Sequence, residues 1–166
     1  MKQSNGFTLI ELLITMAIVS ILMSVGLPSF QSIITDTRLT STANAMLSAY
    51  QLARFEAIKQ HKDVYISTSD NWVTWKVSYT DTSVTPNVIK TVEAFTKSTG
   101  VVITKYGNVG GYDAGARVID ANGSSASCDV SNTIPPTCGF TFANSDGTNT
   151  RTLNVMTTGR TKVSTP

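Results

Sequence analysis

One carboxylate, Glu11, stands alone in the apolar run GFTLIELLITMAIVSILMSVGLP, residues 6–28. A carboxylate in hydrocarbon costs at least ~2.5 kcal/mol, so its presence points to a cation that it meets. No Lys, Arg or His lies between Phe7 and Leu27 to serve. A cut between Gly6 and Phe7 would create one, because the new α-amino group would lie about one helical turn before Glu11 and could pair with it within one subunit or from a neighbour. That chemistry is charge pairing in a medium of low dielectric constant, not catalysis.

Other reactive side chains are sparse. The single histidine, His61, falls where a helix is expected to end, a place suited to a polar cap. Cys128 and Cys138, separated by nine residues in a stretch rich in Ser, Asn and Pro, suggest one disulfide, with two free thiols in a reducing cytosol as the alternative. No C-x-x-C spacing or nearby His indicates a metal site. Neither a G-x-S-x-G elbow nor a P-loop is present, so the chain is not read as an enzyme and no cofactor is expected. Gly107, Gly110, Gly111 and Gly115 do not match a dinucleotide pattern and read as a flexible loop. Trp72 and Trp75 could form a platform for a carbohydrate or a base, and Trp75 is assigned to the core. From Thr148 to Pro166 the cations Arg151, Arg160 and Lys162 occur with no acid. Arg160 and Lys162, just after Gly159, could neutralise phosphates of DNA, or could serve only to keep a β-edge from pairing wrongly.

The elements that carry these residues follow from periodicity. The run from Phe7 is of membrane-spanning length, roughly 20 residues. Since no Gly or Pro appears between Ser29 and Lys62, the helix is expected to continue to about His61, some ~80 Å at about 1.5 Å per residue. Gly26 and Pro28 are its weakest point, where a kink or melted turn is expected. Beyond Pro28 the apolar residues Leu39, Ala43, Met46, Leu47, Tyr50, Ala53, Ala57 and Ile58 recur at three and four, a stripe that should pack on a head. After His61 the period becomes two. Strands are expected at Val64–Ile66, 72–79, 88–95, 101–106, within 115–123 (a short strand and a turn), 138–144 and 151–157, in two small antiparallel sheets on the stripe.

Composition agrees with one compact head and no second domain. The chain has 166 residues and a net charge of +2, which gives no electrostatic argument for nucleic acid by itself. Its charged fraction is only 14%, while Ser and Thr abound, a balance typical of an exported β-rich surface. Lys2 precedes the apolar run with no acid beside it, which favours a cytoplasmic N-terminus and export of the rest.

A short basic leader ending in Gly6, then Phe7, Thr8, Leu9, Ile10, Glu11 and an apolar helix, resembles a type IV prepilin. The resemblance implies that a prepilin peptidase cuts after Gly6 and methylates Phe7, that Glu11 pairs with a neighbouring subunit's amine, and that Gly26 and Pro28 are the helix-weakening positions. It also implies an oxidising compartment for the cysteines. The implied fold is α+β, a pilin-like long N-terminal helix with an antiparallel β head packed on its C-terminal half. Its parts would be a leader (1–6), a transmembrane and filament-core half-helix (7–28), an amphipathic half-helix (29–61) and the head (62–166). Such a chain would sit in the inner membrane as a single pass, head in the periplasm, and pass into a pilus with other pilins or pseudopilins as partners.

The later chain resembles the FimT/FimU/GspH-like minor pilins, through Ala53, Arg54, Glu56, Ala57, Ile58 and Lys59, a strand carrying Trp72 and Trp75, and a late Gly159–Arg160 pair. This implies a minor pilin that primes or caps the fibre and supports assembly and twitching motility. The alternatives are the equivalent pseudopilin of a type II secretion system and a DNA-binding pilin for transformation. Some FimT members bind DNA through a Gly-Arg-x-Arg tail; here Lys162 stands at the second Arg and lacks its planar fork.

Overall fold

The computed structural model describes residues 6–81, 83, 88–126, 128 and 138–165, apart from the side chains of 25 and 27–29. The leader's Lys2, most of the expected turn 81–87 and the loop with Pro135 and Pro136 lie outside these residues. The chain divides into two compact units, Met1–Thr35 and Asp36–Pro166.

Helix α1 runs over Leu9–Gln60. Its assignment is continuous through Gly26 and Pro28, so the expected melted turn does not occur here. A proline removes one ladder bond and the glycine is a poor helix former, yet the flanking turns stay helical. The side chain of Pro28 itself is outside the described residues. In the first unit every described side chain from Leu9 to Ser24 is exposed. Among the described residues no helix is long and apolar enough to cross a membrane. The described side chains of the apolar run break after Ser24, short of the roughly 20 residues that a bilayer needs.

In the second unit α1 turns one face inward. Leu39, Ala43, Met46, Ala49, Tyr50, Ala53 and Ala57 are fully buried, and the four alanines let the sheets approach the helix backbone. Ile58 is a correction to the expected stripe: it is 50% exposed, while Glu56 is buried. The stripe descends through 49/50, 53 and 56/57, and at about 100° per residue position 58 has already turned outward. Glu56 is tolerated inside because Lys59 Nζ and Gln60 Nε2 donate to its carboxylate, each at 3.1 Å. The helix stops at His61, whose φ of 51° is the left-handed conformation of a C-terminal cap.

The head is antiparallel β. Strands β1 (Val64–Ser67), β2 (Thr74–Asp81), β3 (Val88–Thr96), β4 (Val101–Tyr106), β5 (Gly111–Tyr112), β6 (Val118–Ile119), β7 (Gly139–Asn144), β8 (Thr150–Val155) and β9 (Thr161–Ser164) form two sheets. Their orders are β3-β2-β1-β5-β6 and β4-β7-β8-β9. Alternation sends Val64, Ile66, Trp75 and Val77 from the first sheet, and Val101, Ile103, Phe140, Phe142 and Leu153 from the second, onto the buried face of α1. A bulge between Val77 and Ser78 reverses the alternation along β2. Trp75 is fully buried and stacked on Phe95, as its core assignment anticipated. Thr42 ties the helix to the turn between β3 and β4, accepting from Ser98 N–H at 3.1 Å.

Two expectations change here. The glycine-rich stretch is not a free loop, because Gly111 opens β5 and pairs with β1. A Cβ at Gly111 would lie 1.9 Å from the Val64 carbonyl oxygen, so the glycine is needed for backbone contact rather than flexibility. The cationic C-terminal segment is likewise a strand, β9, on the edge of the second sheet.

Asp81, buried at the end of β2, accepts from Lys90, Lys62 and Ser83. The Lys90 ammonium first, and the Ser83 and Lys62 donors after it, hold its carboxyl far below the usual carboxylate range. A depressed folded pKa contributes stability above the unfolded value of about 4 that is lost as pH falls below it. The thermal midpoint of the wild type should therefore drop on acidification below about pH 4, and Asp81→Asn should flatten that limb. Parallel acid limbs in the two proteins would show that Asp81 does not set it.

Candidate functional site

The sequence-derived residues fall in two sets, one in each unit. At the N-terminal end Phe7 is 85% exposed and a Cβ at Gly6 would meet nothing within 4 Å. Thr8 is the N-cap of α1. Its N–H and Oγ1 both donate to Glu11 Oε2 at 3.4 Å, and Glu11 N–H donates back to Thr8 Oγ1 at 3.3 Å. This reciprocal pattern is a capping box, spelled by Thr8-Leu9-Ile10-Glu11, and sequence reasoning that looked only at the charge missed it. All three bonds are long, so Glu11 retains acceptor capacity. The positive end of the helix dipole also favours a carboxylate here. Farther along, Gly26 is exposed and a Cβ there would meet nothing within 4 Å. Among the described residues its missing side chain makes room for nothing.

The second set surrounds the turn between β8 and β9. Met156 N–H donates to Arg160 O at 2.9 Å and Gly159 N–H to Met156 O at 2.8 Å, closing a tight hairpin. Gly159 has φ +78°, and a Cβ would stand 2.7 Å from the Ala116 carbonyl oxygen and 3.3 Å from Arg54 Nε. Glycine is required there on both counts. Tyr112 Oη donates to Gly159 O at 3.2 Å and fixes the turn from below. Arg160 and Lys162 follow, both exposed and two residues apart in extended backbone, hence on one face. Neither has an ion-pair partner among the described residues. Arg151 does not join them: its Nη2 lies 2.8 Å from Asp36 Oδ1. The local charge counted along the chain is thus partly neutralised by an acid 115 positions earlier. Lys162 also sits where a charge blunts an edge strand.

Cys128 and Cys138 form a disulfide with Cα atoms 5.3 Å apart. Among the described residues no cluster of His, Cys, Asp or Glu could hold a metal ion.

A long helix with an apolar, capped N-terminal end, followed by a two-sheet antiparallel head around its second half, defines a pilin-like filament subunit. The first residues, 1–27, match the prokaryotic N-terminal methylation motif. Residues 42–163 match the family of the type II transport protein GspH, and the chain belongs to that family of pilin-like structural subunits. It is similar to a type IV major alpha-pilin of Moraxella bovis, 31% identical over 138 residues, 81% of this chain and 78% of the relative. Two fimbrial proteins of Pseudomonas aeruginosa are each 31% identical over 83 residues, 50% of this chain. The chain spans about half, 53%, of the length of those fimbrial proteins. No solved structure matches the chain. The family is one of structural subunits rather than enzymes.

Proposed function

We propose that the chain is a minor pilin of a type IV pilus, made as a prepilin and drawn from the inner membrane into the filament, where it primes or caps the fibre. The observation that carries this reading is the helix surface from Leu9 to Ser24, where large apolar side chains are exposed all round and Glu11 is the one charge. A helix of that kind is stable only among lipids or other helices. The reading makes residues 7–28 a single membrane pass with the head in the periplasm, and afterwards a piece of the filament core. The shallow apolar notch of Val19, Leu22, Met23, Gly26 and Phe30 offers a neighbouring helix a place to seat. A prepilin peptidase would cut after Gly6, where an open backbone without a side chain suits a protease cleft, and the methylated amine of Phe7 would face Glu11. Gly26 and Pro28 would let the helix stretch when subunits pack. Twitching motility would then follow from pilus assembly.

The minor role is favoured over the major one by the GspH match of the head. Mass spectrometry of purified filaments tests both points. A mature chain beginning at methylated Phe7 and present far below the level of the principal subunit is expected. Equimolar presence would make it a major pilin, and a chain still beginning at Met1 would remove the processing step. Recovery with a secretion machine instead of pili would identify it as a pseudopilin.

A DNA-binding role has one observation in its favour, the paired, unneutralised Arg160 and Lys162 on one exposed face. With two or three phosphate contacts the affinity of the detergent-solubilised chain for short duplex DNA should lie near ~10⁻⁴ to 10⁻⁶ M and fall steeply with salt. An Arg160→Ala, Lys162→Ala double variant should lose it. Equal binding by the two proteins, or none at low salt, ends the DNA-receptor reading.

A further inference from the structure

The turn joining β1 and β2 holds Trp72 in an uncommon conformation. Asn71 and Trp72 both have positive φ, 54° and 66°, the pattern of a tight primed hairpin turn but rare for a tryptophan. Several hydrogen bonds hold it there. Asp70 accepts from Thr74 N–H at 2.8 Å and Thr74 Oγ1 at 2.6 Å, and Thr68 Oγ1 accepts from Trp72 N–H at 3.0 Å. The indole is thereby placed against Phe140, ring centroids 4.8 Å apart, with Lys105 Nζ 5.8 Å from its own centroid.

Trp72 and Lys105 line a cavity of about 420 Å³, a volume usual for small-molecule sites. Tyr65, Ser78, Thr80 and Ile89, on one face of the first sheet, line it as well. Tyr65 stands opposite Ser78 across the β1–β2 ladder and Thr80 opposite Ile89 across the β2–β3 ladder, with β3 the edge strand of the sheet. The Ser78 and Thr80 hydroxyls have no side-chain hydrogen-bond partner among the described residues. Lys105 is partly buried and has no carboxylate beside it among those residues, whereas Lys59, Lys62 and Lys90 each have one. Loss of water around the amine pulls its pKa below the ordinary lysine value. A partly buried cation that touches only an indole lacks its counter-charge.

We propose that this cavity binds an acidic sugar of the uronate type, Lys105 taking the carboxylate, Ser78 and Thr80 the ring hydroxyls, and Trp72 and Tyr65 the apolar edge of the ring. A peptide strand would pair along the outer edge of β3, whereas the cavity presents the side chains of Ser78, Thr80, Trp72 and Lys105. A polyhydroxylated ring needs side-chain hydroxyls, which the cavity offers.

The probe is a trigalacturonate, titrated at low salt against the full chain in a zwitterionic detergent with no sugar headgroup, with maltotriose as the neutral control. Trp72 reports through its fluorescence, since Trp75 is fully buried. A saturable change with the uronate and none with maltotriose is expected. Lys105→Met should weaken the binding by about tenfold or more and Lys105→Arg should restore most of it. Thr80→Val should weaken it by a smaller factor and serves if Lys105→Met fails to melt like the wild type. Absence of saturable uronate binding, equal binding of maltotriose, or an unchanged Kd in the folded variants overturns the proposal. Tighter binding of an acidic hexapeptide does so too, and assigns the cavity to a protein partner.

Discussion

Glu11→Ala should leave the head folded and the chain in the membrane while filament incorporation falls by roughly 100-fold or more. Two effects of different size separate here. In the single chain Glu11 belongs to the capping box with Thr8, and deleting a cap costs about 0.5–2 kcal/mol. In a filament the carboxylate would face an amine away from water, and removing one partner of a buried pair costs about 3–5 kcal/mol because the other charge is left alone. Glu11→Gln divides the two. Glutamine at this position can still close a capping box, but it carries no charge. Charge pairing therefore predicts that Gln fails nearly as badly as Ala when the subunit is counted in sheared fibres. Normal incorporation of the Gln variant would leave capping as the whole role of Glu11, and normal incorporation of both would remove it from assembly.

Where the structure follows the sequence reading, a period is responsible. The 3.6 repeat of Leu39, Ala43, Met46, Tyr50, Ala53 and Ala57 is long enough to phase the helix, and the alternation around Trp75 and Val77 is long enough to phase a strand. Elements without a period were not legible. Strand β5 is two residues, Gly111 and Tyr112, and nothing local distinguishes them from a loop. Its pairing depends on how closely the Val64 backbone approaches, which is a tertiary fact. The β-edge beside Arg160 and Lys162 was legible as an alternative, but strand β9 itself was not, because its four residues, Thr161–Ser164, are too short to show a period. Distance along the chain hid the partner of Arg151, since Asp36 lies a whole head domain earlier. The capping box is legible in Thr8-Leu9-Ile10-Glu11, where the same acid serves both as cap partner and as the lone charge of an apolar run. In the second candidate site Arg160 and Lys162 are legible from their charge and their place after Gly159. What positions them, the Tyr112 bond to the Gly159 carbonyl, joins residues 47 apart.

Phe140→Ala should produce the largest loss of head stability among single core truncations. Phe140 is fully buried on β7, an inner strand of its sheet, between β4 and β8. Its ring lies 5.8 Å from Tyr50 of α1, 4.8 Å from Trp72 of the first hairpin and 6.4 Å from Phe142, measured between centroids, so helix and both sheets meet on it. Removing a buried phenylalanine side chain costs about 3–5 kcal/mol, transfer and cavity together. Set against a typical domain stability of about 5–15 kcal/mol, that is a large share. Collapse into the cavity is restricted because the Tyr50 and Trp72 backbones are fixed by the helix and by the Asp70 turn, which places the expected value toward the upper end. Urea unfolding of the full chain in detergent, disulfide intact, measures it. Val102→Ala on the neighbouring β4, where the side chain is 50% exposed, is the control and should cost under about 0.5 kcal/mol. Because Trp72 rests on the lost ring, its emission should shift in the folded Phe140→Ala variant even before denaturant is added. A cost below about 1 kcal/mol, with unchanged emission, would mean that the aromatic cluster is not what holds helix and sheets together. The alanine stripe of α1 would then have to supply that contact by close backbone approach alone.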